Sequence, residues 1–528
     1  MRKNNSFTRF ASRFGRAAQQ TPQTYARVAL MSCFLVLFSG CDFVRSFLDK
    51  EPSPSTVVQL PPGYKIEKVI GGLTFPTGIA WDNQGRMYVS EAGGGFLSEP
   101  SPARIVRIDG GNMTEVINLE ARGVVAPVVG FTWHNGAFYI SHRAQDFTGA
   151  VSRVAGDGSS VNQILSGFID SQAEHPLNDV RMGPDGRMYL ATGPAGNSAV
   201  MGPDLAPFIN RNPDVRTTAA QDLVLLGKNF ETKDFRTADP DDMVRTGAYV
   251  PFSWPTQPGQ IIRGTNKPGG AIVSFDPNNA EGTLRTEASG LRNVIGLTWD
   301  QKGDLYAAVN GYDVRGARPV RDEGDPTYKI RKGTWYGWPD FSAALEPLTN
   351  PKFEVKDELQ AMVYINDVPQ GKNLGFVIDH AASGLQAPDK SLLAGLHPFH
   401  SSPSMLDAAP ASWREFAGQL FIAEWGDLTP PTDPVDTRKV GYRVVRLNPM
   451  TREITPFVVN RMAGPASAQG AAGMGMERPF DVKFGPDGAM YIVDYGQVNI
   501  DMSRPEREGR EPYQYVAGTG VVWKVTKM

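Results

Sequence analysis

One unit recurs six times along the chain, and that repetition narrows the available folds more than any other feature. Each copy reads as a short strand, a tight turn containing Gly or Asp, and a second strand that is apolar-Tyr-apolar in its clearest instances. The copies are FPTGIAWDNQGRMYVSEAG (75–93), APVVGFTWHNGAFYISHRA (126–144), HPLNDVRMGPDGRMYLATGP (175–194), LRNVIGLTWDQKGDLYAAVNG (291–311), the looser SPSMLDAAPASWREFAGQLFIAEWG (402–426) and RPFDVKFGPDGAMYIVDYG (478–496). A further alternating segment follows each copy: ARIVRID, GAVSRVA, GAIVSFD, DPTYKIRK, GYRVVRLN and GVVWKVT. Period-two alternation in such short runs predicts strands.

Six equivalent hairpin-plus-strand units predict an all-β, six-bladed β-propeller of four-stranded antiparallel blades around a central channel. A β-sandwich of repeated hairpins is the alternative, and it has no need of six equivalent units. The early strand YKIEKVI (64–70) has no copy of its own. Pairing it with the C-terminal blade would close the ring and remove two open edges. Segments 198–269 and 340–400 exceed ordinary loop length, as site walls often do.

The first forty residues differ from the rest. They carry Arg2, Lys3, Arg9, Arg13, Arg16 and Arg27 and no acid, then an apolar run from Val28 to Phe38, then Ser39-Gly40-Cys41. The pattern reads as an export signal too short to span a membrane. Small residues before a cysteine resemble a bacterial lipobox, which makes Cys41 the expected lipidation site. An uncleaved anchor with an incidental cysteine is the other reading. The expected organisation is a lipoprotein signal peptide (1–40), a flexible tether (41–61) and the propeller (62–528), anchored by lipid at the cell envelope. Without the signal, 47 basic residues face 56 acidic ones, a net charge of −9. Such a surface argues against nucleic acid as a partner. The other cysteine, Cys33, lies in the signal, so the folded part has no thiol for a disulfide, zinc or haem site.

An antiparallel hairpin brings the start of its first strand and the end of its second to the same end of a blade. Six repeats therefore gather Pro76, Pro127, His175, Arg292, Asn293, His400 and Arg478 with Glu91, His142, Thr192, Asn310, Gly311, Glu424 and Asp494 on one face. The opposite face receives turn residues such as Asp185-Gly186, for which tight hairpins are sufficient reason. A hydrated mouth with no ligand would satisfy the same placement.

At these residues the chain resembles the glucose/sorbosone dehydrogenase family. The segments PGYKIEKVIGGLTFPTGIAWD, HPLNDVRMGPDG, GLRNVIGLTWD, KGTWYGWP and ERPFDVKFGPDG carry the resemblance across most of 62–526. It implies an oxidoreductase that uses pyrroloquinoline quinone (PQQ) and Ca²⁺ to oxidise a sugar, polyol or sugar aldehyde, passing electrons to a separate acceptor. His175 would be the catalytic base, as suits imidazole near neutral pH. Arg292 would assist and, with Asn293, Arg478 and His400, hold the quinone; planar guanidinium groups suit its carboxylates. Gly311 and Tyr312 would supply carbonyls to the Ca²⁺. The chain departs from the family at Phe480 (a second gripping Arg), Val125 (a Gln) and Asp179 (an Arg). The family's cofactor Lys has no clear counterpart, although Arg438 or Lys439 stands nearby. Two alternatives compete: a Ca²⁺-dependent lactone hydrolase using Glu91, Asn310, Glu424 and Asp494, and a non-catalytic carbohydrate- or protein-binding propeller.

Overall fold

Period-two alternation fills two faces of a strand at once, and here both faces are apolar. In the second strand of the first repeat (Met87–Glu91), Tyr88 packs toward the following repeat and Val89 toward the preceding one. A strand of this kind is stable only between two other sheets. The computed structural model describes residues 54–94, 101–321, 323–428, 439–504 and 512–528. The export segment, Cys41 and the first part of the expected tether lie outside them.

Six sheets form, one per repeat, antiparallel except where Arg285–Ser289 pairs parallel with Thr334–Trp335 at the outer edge of the third. The first strands are Pro76–Trp81, Phe131–His134, Leu177–Met182, Asn293–Trp299, Pro403–Ala408 and Pro479–Phe484. They define blades 1 to 6, and each neighbours the next around a closed ring, blade 6 meeting blade 1. A separate hydrophobic core fills every gap between neighbours: Ile79 with Val493, Tyr88 with Phe138, Tyr139 with Val180, Ala191 with Leu297, Tyr306 with Ile422, and Phe421 with Val482. The early strand closes the ring. Tyr64–Leu73 pairs antiparallel with Gly520–Lys527, from Tyr64 against Lys527 to Leu73 against Gly520, and forms the outer edge of blade 6.

The inner edge of each first strand faces the channel, where no further strand pairs with it. Side chains from other blades bind those backbone groups, some from the neighbour and some from one blade further round. Asp481 accepts from the Ile79 N–H (3.1 Å), Asp179 from Leu297 (3.0 Å) and Asp407 from Phe484 (3.0 Å). Lys483 donates to the carbonyls of Ile79 (3.0 Å) and Phe131 (3.1 Å), and Arg181 donates to that of Leu406 (2.8 Å).

Two features differ from the sequence expectation. The chain is packed from residue 54 rather than 62: Val58 and Gln59 pair with Asn460 and Val459, and Val57 and Val58 join the core between blades 5 and 6. Two apolar residues beside an open sheet edge outweigh the prolines that suggested a tether. The long insertions are also not independent loops. Asn229–Lys233 from the first pairs with Met362–Ile365 from the second, inside a four-stranded sheet with its own core around Phe230, Val363 and Leu374.

Asp179 stands where the family resemblance expects arginine, and its role is to bind a backbone N–H of the next blade. Asp179→Ala would leave the Leu297 N–H buried and unpaired, a cost of about 1–3 kcal/mol. Urea unfolding should show a lower midpoint at unchanged slope.

Candidate active site

The register of every first strand slips by one residue close to the same end of the ring. In blade 1, Pro76 faces Glu91 and Gly78 faces Ser90, so Thr77 is extra. The same slip occurs between Leu177 and Val180, Val294 and Gly296, Pro403 and Leu406, and Pro479 and Asp481. In blade 2, Val129 and Gly130 both bond to Ser141. A bulge turns a side chain out of the alternation. Thr77, Val129, Asn178, Ile295, Ser404 and Phe480, one from each slip, all line a single cavity of about 190 Å³.

Above this ring the cavity receives His175, Arg292, Asn293 and His400, four of the side chains that the sequence nominated. His175 is 6% exposed. Its Nδ1 lies 2.7 Å from the Pro194 carbonyl, so Nδ1 carries the proton and Nε2 keeps its lone pair. Burial pushes the imidazole down to about 4, against a smaller upward pull from Glu174, which leaves the ring neutral at pH 7. Gly193 makes the packing possible, because a Cβ there would sit 2.5 Å from the His175 Cβ.

Arg292 is clamped rather than free. Its Nη2 donates to Asp313 Oδ2 (2.8 Å) and Asn197 Oδ1 (3.1 Å), its Nε to the Asn197 carbonyl (3.2 Å) and its Nη1 to the Asn310 carbonyl (3.3 Å). Arg315 extends the network, donating to Asp313 (3.0 Å), Glu174 (2.5 Å) and Asp204 (2.8 Å). Despite its burial, Asp313 is held down to about 2, with Arg292 and then Arg315 the leading lowering causes. Asn197 and Asp204 belong to the stretch that leads into the first long insertion, so that segment buttresses the site.

The structure moves other nominated residues elsewhere. Arg478 is not among the cavity-lining residues; its Nη1 donates to the carbonyls of Gly426 (3.0 Å) and Asp427 (2.9 Å), and the guanidinium lies over Tyr442 and Trp425. Two backbone acceptors and two aromatic faces satisfy it without a ligand. Gly311 and Tyr312 line a different space, of about 20 Å³, beside Tyr336 and Trp338. The Gly311 N–H donates to Asp325 and the Tyr312 hydroxyl to the Phe341 carbonyl. Arg438 lies outside the described residues, and Val125 pairs with Arg143 away from the cavity.

The acids proposed for a lactonase metal are engaged. Glu91 binds Thr74 N and Arg104, Glu424 binds His397 (2.7 Å) and Arg443 (2.6 Å), and Asp494 accepts the N–H groups of Glu477 and Arg478. Period-two alternation points these strand-end acids sideways within the blade and turns the next residues, Ala92, Trp425 and Tyr495, into the cavity. Among the described residues, no group of three His, Cys, Asp or Glu is placed to hold a metal ion. His142 is likewise inside its blade, against Ser152 (2.7 Å).

Two cavity residues sit in strained backbone. His400 and Ser402 have φ of 62° and 52°, a left-handed region that costs a non-glycine residue of order 1–3 kcal/mol. The resulting bend carries His400 Nδ1 to 3.8 Å from Asp313 Oδ1.

Solved structures share this fold. A Trichoderma reesei carbohydrate-active enzyme of family AA12, described in its calcium form, aligns with a TM-score of 0.51 at 13% identity, covering 91% of this chain and 98% of that one. The holo PQQ domain of Coprinopsis cinerea pyranose dehydrogenase aligns at 0.49 and 15% identity, covering 90% and 99%. The PQQ-bound aldose sugar dehydrogenase of Streptomyces coelicolor aligns at 0.45 and 16%, covering 88% and 99%. At these identities the likeness is one of fold. No protein-family model matches the sequence, and no curated protein matches it.

Asp313→Asn would leave the buried Arg292 without its carboxylate partner, a loss of about 3–5 kcal/mol. The Asp313 carboxyl is depressed in the fold, so its contribution is present above the unfolded value of about 3.9 and is lost as pH falls through about 2. Denaturation of both proteins from pH 7 to pH 2 should show their difference shrinking only at the acid end.

Proposed function

We propose that this chain is a dehydrogenase that oxidises a small sugar, polyol or sugar aldehyde, with PQQ held in the cavity. The observation that carries the reading is His175: a buried, neutral imidazole, anchored through Nδ1, whose Nε2 is left to accept a proton beside a guanidinium. General bases of this kind contribute about 10²–10⁴-fold.

The lining fits a flat, carbonyl-bearing ring. Trp425, Tyr495 and Phe480 give an aromatic surface, and Arg292, Asn293 and His400 would hold polar edges. When bound, the quinone would supply the acceptor for the hydride, which carries the electron pair. The chain's residues do the rest. His175 Nε2 takes the hydroxyl proton as the substrate carbon gives up its hydride. The charge of Arg292, fixed by Asp313 and Asn197, favours negative charge developing nearby. The bulge ring and the aromatic surface restrict water. The fit is to the ring system more than to three carboxylates, because Arg478 is engaged elsewhere and Phe480 replaces a cation. Gly311 and Tyr312, whose carbonyls the resemblance assigns to Ca²⁺, are not among the cavity-lining residues, and no step here depends on a metal.

Electrons would leave through a separate acceptor, and the chain would be held at the cell envelope by lipid on Cys41. Cys41→Ser should then release the protein from membranes and abolish incorporation of labelled fatty acid.

Reconstitution with PQQ, with and without Ca²⁺, followed by dye reduction across a sugar and polyol panel, tests the reaction. His175→Ala should lower turnover by about 10²-fold or more while PQQ binding is retained; unchanged turnover would remove the base. In the wild type, activity should hold from neutral pH to about pH 5 and fall through about pH 4, since His175 accepts a proton only above its own pKa. Phe480→Arg should tighten PQQ binding about tenfold, read as quenching of tryptophan fluorescence, by restoring a charge-assisted contact to a carboxylate.

A further inference from the structure

Glu174 precedes His175 in sequence and lines the same cavity, yet neither the repeat nor the resemblance marks it. Its two oxygens have different fates. Oε1 accepts from Arg315 at 2.5 Å. Oε2 is buried without a hydrogen-bond partner and lies 3.8 Å from His175 Nε2. A buried carboxylate oxygen left unbonded is costly, so its placement calls for a reason. The His175 ring is neutral and its Nε2 unprotonated, so the gap separates two acceptors with no proton between them. They are just too far apart for a hydrogen bond, and that changes when Nε2 is protonated.

We propose that Glu174 is a positioning residue for the proposed oxidation: a preset counter-charge that receives the His175 imidazolium as the substrate O–H bond breaks and the Nε2–H bond forms. The inference rests on the reading of His175 as the base. The proton moves from the substrate hydroxyl to Nε2, and the new N–H turns toward Oε2, closing a gap of less than 1 Å. No atom leaves Glu174, which stays a carboxylate throughout.

The surrounding charges suit this role. Arg292 and Arg315 disfavour a proton on His175, and Glu174 favours one. Arg315 is bound to Asp204 and Asp313 as well as Glu174, and Asp313 also binds Arg292 and lies near His400. Glu174 is therefore held ionised and in place by a guanidinium that three carboxylates share, and its carboxyl stays below the usual range despite burial. Nδ1 is fixed on a backbone carbonyl, so a charged partner is on the Nε2 side, where the proton arrives.

The test reads the imidazole directly in cofactor-free protein with isotopically labelled histidine, the His175 signal being assigned by its loss in His175→Gln. In Glu174→Gln the protonation midpoint of His175 should fall by about one unit, a tenfold weaker hold on the proton. In the reconstituted enzyme, kcat/KM should fall about tenfold at its plateau with its acid limb moved to lower pH, and Glu174→Asp should recover part of both. An unchanged midpoint in folded Glu174→Gln would overturn the inference. If that variant does not fold, the wild type decides: below its midpoint, the Nε2 proton should show a downfield, slowly exchanging resonance, and a freely exchanging one would overturn the pairing. A shifted midpoint without dye reduction would keep the ion pair and reject the oxidation. Dye reduction with an unshifted midpoint would do the reverse.

Discussion

The inner edge of each first strand has backbone N–H and C=O groups that no strand can pair, and the ring is organised around that constraint. Buried backbone groups must find partners. Water in the channel could serve, but the chain uses charged side chains reaching from other blades. Asp179, Asp407 and Asp481 each accept an N–H from the next blade, while Arg181 and Lys483 donate to carbonyls. Each such contact ties one blade to another, and polar contacts such as Thr77 to the Val128 carbonyl and Asn178 to the Val294 carbonyl add to the apolar cores between neighbours. The polar contacts fix the height of one blade against another.

The level of the register slips is where chemistry becomes available. Blades supply the bulge residues and the strand starts, but the charge network comes from outside the repeat. Asn197 and Asp204 precede the first long insertion's sheet, and Asp313 and Arg315 lie in the loop after the second strand of blade 4. A regular propeller would offer Arg292 a wet channel mouth. The added segments give it fixed partners, at the expense of crowding three carboxylates and two guanidiniums into one cluster around the buried Arg292. Such a cluster adds little net stability. What it provides is orientation, because each guanidinium is held by more than one acceptor.

Much of this was legible in the sequence, and the rest failed for identifiable reasons. Six hairpins, the closing strand at 64–70 and the face bearing His175, Arg292, Asn293 and His400 all follow from repetition and strand polarity. Side-chain direction did not follow, because a one-residue slip near each strand start shifts the alternation. Thr77, Ile295 and Phe480 look like ordinary strand residues in sequence, and Arg478 looks like a ligand. Counting one residue past each second strand would have found Trp425 and Tyr495. Nothing in sequence could have paired the two insertions, whose strands lie more than a hundred residues apart, or placed Arg315 between Glu174 and Asp313. Such contacts are set by tertiary approach and leave no local period.

The bulge positions also separate two demands that usually conflict. A residue in the regular part of a first strand must fill an inter-blade core or bind a neighbour's backbone, so changing it costs stability. A bulge residue has no cross-strand partner and faces the cavity, although Thr77 and Asn178 also bond the carbonyls of Val128 and Val294 in the next repeat. Chemistry can therefore change there while the ring persists. Phe480 sits at such a position, edge-on to Trp425 with ring centroids 5.8 Å apart, while Asp481 beside it binds the Ile79 N–H. Replacing a cation with an aromatic ring at 480 alters what the cavity attracts and leaves the next residue's structural bond intact. A propeller of this construction can vary its ligand one bulge at a time, and the departures of this chain from the family it resembles fall on both kinds of position: Phe480 for the ligand, Asp179 for the ring.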